Sequence, residues 1–164
     1  MEVEAFIEVP RGSRNKYEAD HATGLIWLDR MLFTATQYPT DYGFIPDTLA
    51  DDGDPLDILV LLDEPTFPGC HILARPVAVL RMRDEAGGDD KVLAVPTTDP
   101  RWSHLLDIGD IGSFLLDEIL HFFQVYKELE PGKLTEPGHW EDRVAADETI
   151  RRAFELYRKT HQVD

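Results

Sequence analysis

The sequence predicts an α+β fold that is mainly β, with a small barrel or curled sheet and helices packed on its outside. Two observations predict it: short segments rich in β-branched and apolar residues occur before position 96, and two longer segments with apolar residues at helical spacing follow position 110. A length of 164 residues favours one hydrophobic core, so a single domain is predicted over residues 1–164.

The strands are predicted from alternation and β-branched residues. The first lies at Val3–Val9, where apolar residues alternate with mostly acidic ones, and Pro10 and Gly12 close it. The stretch Lys16–Glu18 is also expected to be extended, which places its first and last residues on one face. Further strands are predicted at Gly24–Asp29, Leu56–Leu62, Ile72–Met82 and Lys91–Val95.

The segments between the strands carry turn and loop signals. Pro76 predicts an edge position or a β-bulge, because proline cannot donate a ladder hydrogen bond. Acidic residues and a glycine pair make Asp84–Asp90 a predicted hairpin turn. Tyr38–Asp54 mixes prolines, glycines and aromatic residues without a period and is predicted to be loop.

Two amphipathic helices are predicted in the last third of the chain. The first spans Ile111–Leu129, with Asp110 as its candidate N-cap and Pro131-Gly132 as its stop. The second spans Val144–Thr160. Helices that follow a run of strands in this order are typical of an α+β domain.

Charge and composition exclude several classes of function. The chain has 16 Lys and Arg against 32 Asp and Glu, and its net charge of −16 argues against a nucleic-acid partner. No apolar run approaches the roughly 18 residues of a membrane span, and the acidic, alternating N-terminus does not resemble a signal peptide. A single Cys70 excludes an intrachain disulfide. A cytoplasmic protein is therefore expected.

One strand carries a carboxylate where burial is expected. Asp57 interrupts an otherwise apolar strand, and burying an unpaired carboxylate is costly. No Lys or Arg lies between Arg30 and Arg75 to pair with it locally, so a divalent cation is the expected partner. Asp52 and Asp54 share one side of the preceding extended segment and are expected to converge with it. A solvated acidic turn is the alternative.

A second acidic pair flanks the predicted hairpin tip. Asp84 and Asp89 would face each other there, with Lys91 on the same strand side as the second. Ligands that are all oxygen favour hard cations such as Mg²⁺, Mn²⁺ or Ca²⁺. An iron site is the weaker hypothesis, because Glu118-x-x-His121 has no second helical motif of its kind. For the tip by itself, a solvated turn is the alternative.

The basic and phenolic residues suggest a phosphate ligand. Singly, each of these residues could be an ordinary surface residue: Lys16, Arg30, Tyr126 and Lys127. Together they supply a guanidinium that can bind phosphate through two N–H groups, two ammonium groups and a phenol hydroxyl. His21 follows the Lys16–Glu18 strand; a surface histidine in a turn is the simpler interpretation, and a pH-sensitive role near the site is the alternative.

These residues also match a known family. Asp52-Gly53-Asp54-Pro55-Leu56-Asp57 resembles the signature of family I soluble inorganic pyrophosphatases of the bacterial type. The resemblance covers nearly the whole chain. The other matching blocks are Glu8-Val9-Pro10, Lys16-Tyr17-Glu18, Asp29-Arg30, Tyr38-Pro39-x-x-Tyr42-Gly43, Asp84-Glu85-Ala86-Gly87, Lys91, His121-Phe122-Phe123 and Tyr126-Lys127.

The resemblance implies a fold, an activity and a set of residue roles. The fold is a five-stranded OB-like closed barrel, usually in a homohexamer. The activity is hydrolysis of inorganic pyrophosphate to two orthophosphates by direct attack of a metal-activated water. Several Mg²⁺ ions take part, and Mn²⁺ could substitute. Independently of the resemblance, Ca²⁺ is expected to bind but inhibit, because its coordination is longer and looser than that of Mg²⁺. Asp54 would accept the proton of the water. The metal ligands would be Glu8, Glu18, Asp52, Asp57, Asp84 and Asp89. The substrate-binding residues would be Lys16, Arg30, Tyr42, Lys91, Tyr126 and Lys127.

Two other functions compete with this one. A non-catalytic divalent-cation-binding OB-type module explains the acidic residues but leaves the grouped basic residues without a role. A nucleotide phosphohydrolase would use the same metal chemistry, but no motif for binding a base is present.

Overall fold

The computed structural model describes residues 1–162, so residues 163–164 of the predicted domain lie outside the described part. It contains nine strands and two α-helices among those residues. The strands are β1 Val3–Val9, β2 Asn15–Ala19, β3 Ile26–Met31, β4 Asp41–Phe44, β5 Asp57–Val60, β6 His71–Asp84, β7 Gly87–Gly88, β8 Lys91–Pro96 and β9 Thr135–Glu141. The helices are α1 Ser113–Val125 and α2 Arg143–His161.

Five strands of the main sheet are arranged as a ring. Strand β1 pairs with β4, β4 with β5, β5 with β8 and β8 with β6, and β6 pairs back with β1. The β5–β8 pairing is parallel and the others are antiparallel. Strands β7 and β9 extend from β6, while β2 and β3 form a separate hairpin. The mixed sheet with outlying helices agrees with the predicted fold class.

Alternate residues of β5 enter different hydrophobic cores. Ile58 and Val60 belong to a buried cluster that includes residues of α2, whereas Leu59 belongs to one that includes residues of α1. All three are fully buried, as the apolar sequence predicts. Because side chains alternate along a strand, Asp57 points to the same side as Leu59, towards α1. This alternation decides on which side of the sheet the acidic residue lies.

Strand β4 falls inside the predicted loop Tyr38–Asp54, so that prediction is wrong for Asp41–Phe44. The glycine in this strand does not mark a turn. A Cβ built at Gly43 would lie 1.8 Å from the backbone oxygen of Phe6 in β1, so only glycine allows the two strands to approach this closely. Composition alone could not separate a glycine needed for close strand packing from one that belongs to a loop.

Strand β9 also falls where the sequence predicts no strand. It contains Pro137 and Gly138, which both disfavour β structure, and it pairs with β6 through an irregular register. The predicted bulge at Pro76 is confirmed, because the β6–β8 register shifts between Pro76 and Ala78. The other predicted strands are confirmed. Their ends differ from the predicted ends by at most two residues, because cross-strand pairing decides where a strand stops.

The first helix is shorter than its apolar stripe. It covers Ser113–Val125 instead of the predicted Ile111–Leu129. Asp110 is not its N-cap: this residue belongs to a separate 3₁₀ turn, Ile108–Asp110, in which its carboxylate accepts backbone N–H groups. Gly112 occupies the N-cap position of α1 and makes no side-chain cap. The predicted cap therefore stabilises the preceding turn.

The second helix agrees with its prediction within one residue at each end. It begins after Asp142, whose carboxylate caps it by accepting the N–H of Ala145 at 3.0 Å. The helix packs along β6 and covers one face of the ring. Within residues 1–162, neither this helix nor α1 combines the length and apolar character needed to cross a membrane.

Candidate active site

A cavity of about 620 Å³ opens at one end of the ring, beside the β2–β3 hairpin and the turn that follows α1. It brings together almost all of the residues that the sequence predicts for the site. The predicted metal ligands that line it are Glu8, Glu18, Asp52, Asp57, Asp84 and Asp89, and Asp54 lies with them. The predicted substrate-binding residues that line it are Lys16, Arg30, Tyr42, Tyr126 and Lys127.

Lys91 is the predicted site residue that does not line the cavity. Its ammonium is buried behind the wall, 2.8 Å from Asp57 Oδ2 and 3.1 Å from both carboxylate oxygens of Asp89. The parallel β5–β8 register places Asp57 and Lys91 on neighbouring strands as direct partners. No Lys or Arg lies near Asp57 in the sequence, as noted above, and the structure supplies a cationic partner from 34 residues further along the chain.

Aromatic rings and a phenol complete the surroundings of this ion pair. The Lys91 ammonium lies 4.8 Å from the ring centroid of Phe123 and 5.5 Å from that of Tyr42. The Tyr42 hydroxyl donates to Asp57 Oδ2 at 2.9 Å. Asp57 therefore receives two hydrogen bonds on one oxygen, which fixes the orientation of its carboxylate towards the cavity.

The two carboxylates that share Lys91 titrate differently. Burial raises the pKa of Asp57 to about 6, although Lys91 and Tyr42 lower it in part. For Asp89 burial also raises the pKa, but the ammonium of Lys91 outweighs it and the pKa is lowered. The two carboxylates in turn hold the pKa of Lys91 well above its usual range despite its burial. Near neutral pH the group carries more negative charge than positive.

The loop before β5 presents two acids with different surroundings. Asp52 Oδ1 accepts the backbone N–H of Asp54 at 3.0 Å, and burial raises the pKa of Asp52. The carboxylate of Asp54 is exposed and accepts no hydrogen bond from any group in residues 1–162. Asp54 is thus an acid of the cavity with both oxygens free to accept a proton from a ligand.

The cationic side chains of the cavity are each held by an acid. Lys16 pairs with Glu18 and lies 3.3 Å from Asp29. Lys127 Nζ lies 3.4 Å from Asp84 Oδ2. Lys127 lies directly after the end of α1. Asp84 and Asp89, the acidic pair predicted at the hairpin tip, are therefore held by different lysines. Asp84 pairs with Lys127 and Asp89 with Lys91.

Arg30 has the most complete set of contacts among these cations. It pairs with Asp29 through Nη1, and its Nη2 lies 2.9 Å and 3.0 Å from the two oxygens of Glu130. Its Nε is buried and has no acceptor among residues 1–162. These pairings raise the pKa of Arg30 although burial lowers it, so the guanidinium stays charged.

The donor set fits hard divalent cations. Nine carboxylates line the cavity against four cationic side chains, and among the lining residues no cysteine and one histidine, His21, occur. Oxygen donors with surplus negative charge suit Mg²⁺, Mn²⁺ or Ca²⁺. Burial raises the pKa of both Asp52 and Asp57, and the nearby positive charge of Lys91 offsets it only in part.

The carboxylates are not already arranged around one point. Within residues 1–162, no group of three or more His, Cys, Asp or Glu side chains forms a ready metal site. Asp52, Asp54 and Asp57 line one cavity at the entrance of β5, but their oxygens do not yet surround a common point. The reason is visible in the contacts: Asp57 and Asp89 bind Lys91, and Asp52 caps its own loop.

Glu8 is the most strongly perturbed acid of the cavity wall. Burial raises its pKa to about 7, although the backbone N–H of Ala19, 2.7 Å from Oε2, lowers it in part. Its pKa in the unfolded chain is near 4.5. Because folding favours the protonated form, Glu8 contributes stability that is complete below pH 4.5 and is lost as the pH rises through about 7.

Replacing Glu8 by glutamine is expected to flatten the pH dependence of stability in the absence of divalent cations. The free energy of unfolding of the unmodified protein should fall between pH 5 and pH 8 by up to about 3 kcal/mol more than that of Glu8→Gln. Urea unfolding in a chelator at several pH values measures this. Glu2→Gln, at an exposed position, is the matched control. Parallel pH profiles for Glu8→Gln and the unmodified protein would contradict the assignment.

Several charged residues in or beside the cavity lie outside the predicted set: Asp29, Glu85, Lys133 and Glu130. Lys133 and Glu85 pair at 3.0 Å at the cavity rim, and Glu130 is buried against Arg30. The run Glu128-Leu129-Glu130 has the composition of a solvated turn, so no local signal marks its second acid as buried. His21 is exposed on the cavity wall with its ring edge-on to Phe44, 4.9 Å between centroids.

Comparisons with known proteins place the chain in a family. The family model described as inorganic pyrophosphatase matches residues 5–158. The chain is 59% identical to inorganic pyrophosphatase from Streptomyces coelicolor over 158 residues, which cover 96% of this chain and 97% of that one. It is 57% identical to inorganic pyrophosphatase from Leifsonia xyli, over 90% of this chain and 91% of that one.

A solved structure gives the same result in three dimensions. The crystal structure of inorganic pyrophosphatase from Thermus thermophilus superposes with a TM-score of 0.93 at 51% identity, over 96% of this chain and 91% of that chain. Sequence and fold agree over nearly the full length, and the acidic cavity lies within the matched region. The chain is therefore a member of the inorganic pyrophosphatase family.

Proposed function

We propose that this chain hydrolyses inorganic pyrophosphate to two orthophosphates with the help of divalent cations, Mg²⁺ in the first place. The observation that carries the proposal is one cavity with two kinds of binding group. It holds a surplus of carboxylates, which suits cations, together with Lys16, Arg30 and Lys127, which suit phosphate oxygens. A site for cations alone has no need of the second set.

The carboxylates proposed as cation ligands are Glu8, Glu18, Asp52, Asp57, Asp84 and Asp89. A bound divalent cation lowers the pKa of a water molecule and offsets negative charge on phosphate oxygens. The chain supports this by keeping Asp57 oriented through Tyr42 and Lys91. Lys91 was expected to bind the substrate; its contacts support a role that acts through Asp57 and Asp89.

The remaining steps belong to side chains of this protein. Asp54, with its free oxygens, accepts the proton of the attacking water. Arg30 and Lys127 bind phosphate oxygens, and the hydroxyl of Tyr126 adds a donor, whereas that of Tyr42 already donates to Asp57. No nucleophilic Ser or Cys is among the lining residues, which supports direct attack of water without a covalent intermediate.

Phosphate release tests the proposal directly. Purified protein with pyrophosphate and Mg²⁺ should release orthophosphate, two per substrate, and excess chelator should abolish the release. Full activity in chelator would refute the role of the carboxylates. Binding of Mg²⁺ without release of phosphate would favour the non-catalytic cation-binding module. Preference for a nucleoside triphosphate over pyrophosphate would favour a nucleotide phosphohydrolase.

Ca²⁺ is expected to bind the same oxygen donors and to inhibit. Its oxygen distances are about 2.3–2.6 Å, against about 2.0–2.1 Å for Mg²⁺, and its coordination is looser. A displacement of the reacting groups by about 1 Å can cost about 10²-fold in rate. Ca²⁺ should therefore lower the rate at fixed Mg²⁺, and excess Mg²⁺ should restore it. Equal turnover with Ca²⁺ alone would contradict this account.

The assembly and the location are proposed from the family resemblance. We propose a homohexamer of chains that are each a single domain over residues 1–164, with the strand ring as a five-stranded OB-like closed barrel. Large apolar side chains exposed around the β2–β3 hairpin support association: Leu25, Trp27, Leu28, Met31 and Phe33. The free thiol of Cys70 supports a cytoplasmic location.

Light scattering at micromolar concentration measures the assembly. The expected mass is six times the 18.7 kDa of one chain. Replacing the exposed Trp27 by aspartate should lower that mass, because a charge would enter an apolar contact. A monomeric mass for the unmodified protein would refute the hexamer.

A further inference from the structure

Glu130 is a buried carboxylate with a single cationic partner. Its side chain is 6% exposed, and both of its oxygens lie within 3.0 Å of Arg30 Nη2. A carboxylate at this depth is strongly disfavoured unless it is paired. No other side chain within residues 1–162 donates to it. The position of Glu130 and that of Arg30 are therefore tied to each other, across 100 residues of sequence.

The turn around Glu130 is itself tied to the phosphate-binding residues. The backbone N–H of Glu130 donates to the carbonyl oxygen of Lys127 at 2.9 Å. Lys127 follows Tyr126 directly, at the end of α1. The pair with Arg30 thus connects this turn to β3 on the other wall of the cavity.

The two acids around Arg30 divide its guanidinium between them. Asp29 binds Nη1 and Glu130 binds Nη2, while Nε is buried without an acceptor. Each terminal nitrogen has two hydrogen atoms, so one on each remains for a ligand in the cavity. A planar group held at both ends cannot rotate to point those hydrogens elsewhere.

We propose that Glu130 is a positioning residue for Arg30: it fixes the guanidinium so that the remaining N–H groups face the phosphate of the substrate. The inference rests on the proposed function, because Glu130 affects pyrophosphate only through Arg30, which is proposed to bind its phosphate. Glu130 itself does not line the cavity and is not a cation ligand. A residue that merely tethers the turn would affect stability without affecting substrate affinity.

Glu130→Gln separates these roles, because the amide keeps the shape and one acceptor but loses the charge. A hydrogen bond to a charged group is stronger than a neutral one by enough to change an equilibrium about tenfold. Arg30 contacts phosphate in the ground state and in the transition state alike, so the KM for pyrophosphate at saturating Mg²⁺ should rise about tenfold. The kcat should change less than about threefold. Glu128→Gln, an exposed acid in the same turn, is the matched control and should leave both constants unchanged.

A double mutant decides whether the effect passes through Arg30. In the Arg30→Lys background the planar guanidinium that Glu130 would orient is absent, so adding Glu130→Gln should raise the KM less than twofold further. Binding of Mg²⁺-methylenediphosphonate, measured by calorimetry, should weaken in parallel with the KM. An equal rise in KM in both backgrounds would overturn the proposal.

Stability controls keep the test decisive. Glu130→Asp retains the charge but shortens the reach, and it should also raise the KM with little change in the thermal midpoint. If both Glu130 variants fail to fold, or lose stability with an unchanged KM, the residue is structural and the proposal is overturned. An inactive unmodified protein would overturn the proposed function, whereas an active one with an unchanged KM in Glu130→Gln overturns only the assignment of Glu130.

Discussion

Replacing Asp54 by asparagine is expected to lower the turnover of pyrophosphate by about 10²- to 10⁴-fold, the usual contribution of a general base. Asp52 accepts a backbone N–H, Asp57 and Asp89 bind Lys91, and Asp84 faces Lys127. The carboxylate of Asp54 alone among these accepts no hydrogen bond within residues 1–162. It is the acid whose lone pairs are available when a water molecule must lose its proton.

The effect should appear in kcat and not in KM. An asparagine has nearly the same shape but accepts a proton poorly, so the substrate binds as before while the chemical step slows. The deficit should shrink as the pH rises, because more of the attacking water is then deprotonated without help. Steady-state kinetics at several pH values, with Mg²⁺ saturating, measure both constants.

The matched control for this variant is Asp51→Asn. Asp51 lies in the same loop and is exposed, but it pairs with Arg152 at 3.2 Å on the surface and does not line the active cavity. It should change kcat less than about twofold. Normal turnover of Asp54→Asn at neutral pH would remove Asp54 from the role of base, and equal losses in both variants would point to the loop conformation instead.

Replacing Lys91 by methionine is expected to destabilise the fold by about 3–5 kcal/mol in the absence of divalent cations, the cost of breaking a buried ion pair. Lys91 is 1% exposed, and its ammonium serves both Asp57 and Asp89. Methionine fills a similar volume but leaves two largely buried carboxylates without their cation. Urea unfolding in a chelator at pH 8 measures the loss.

The pH dependence of this deficit has a definite sign. The pKa of Asp57 is raised to about 6 in the folded protein, so folding makes its protonation easier than in the unfolded chain, and at pH 5 Asp57 is mostly protonated. Protonation removes the unpaired charge, and the deficit of Lys91→Met should therefore be smaller at pH 5 than at pH 8. Added Mg²⁺ should stabilise the variant more than the unmodified protein, since it supplies positive charge.

Lys133→Met provides the comparison at the cavity rim. Lys133 is 41% exposed and pairs with Glu85 at 3.0 Å, and an exposed pair of this kind contributes at most about 1 kcal/mol. Its removal should be nearly neutral. A stability of Lys91→Met within 1 kcal/mol of the unmodified protein would show that the carboxylates find another partner.

The sequence by itself determined the features that depend on local periodicity. Alternation placed β1, and the continuous apolar run placed β5 with its fully buried residues Ile58, Leu59 and Val60. The helical stripes placed α1 and α2, although the predicted α1 was longer than the observed helix. Clustered acids and the family motif predicted site residues that, apart from Lys91, all line the cavity. These features can be predicted from local sequence because residues close together in the chain share one strand or one helix face.

Only the tertiary structure decided which charges pair. Lys91 reaches Asp57 because β5 and β8 run parallel in one register, and Arg30 reaches Glu130 because the turn after α1 folds against β3. Strand β4 likewise exists because β1 and β5 offer it partners on both sides. Such contacts join residues 34 and 100 positions apart. No local pattern encodes them, because a side chain's partner depends on strand register and on which backbone segments pack together.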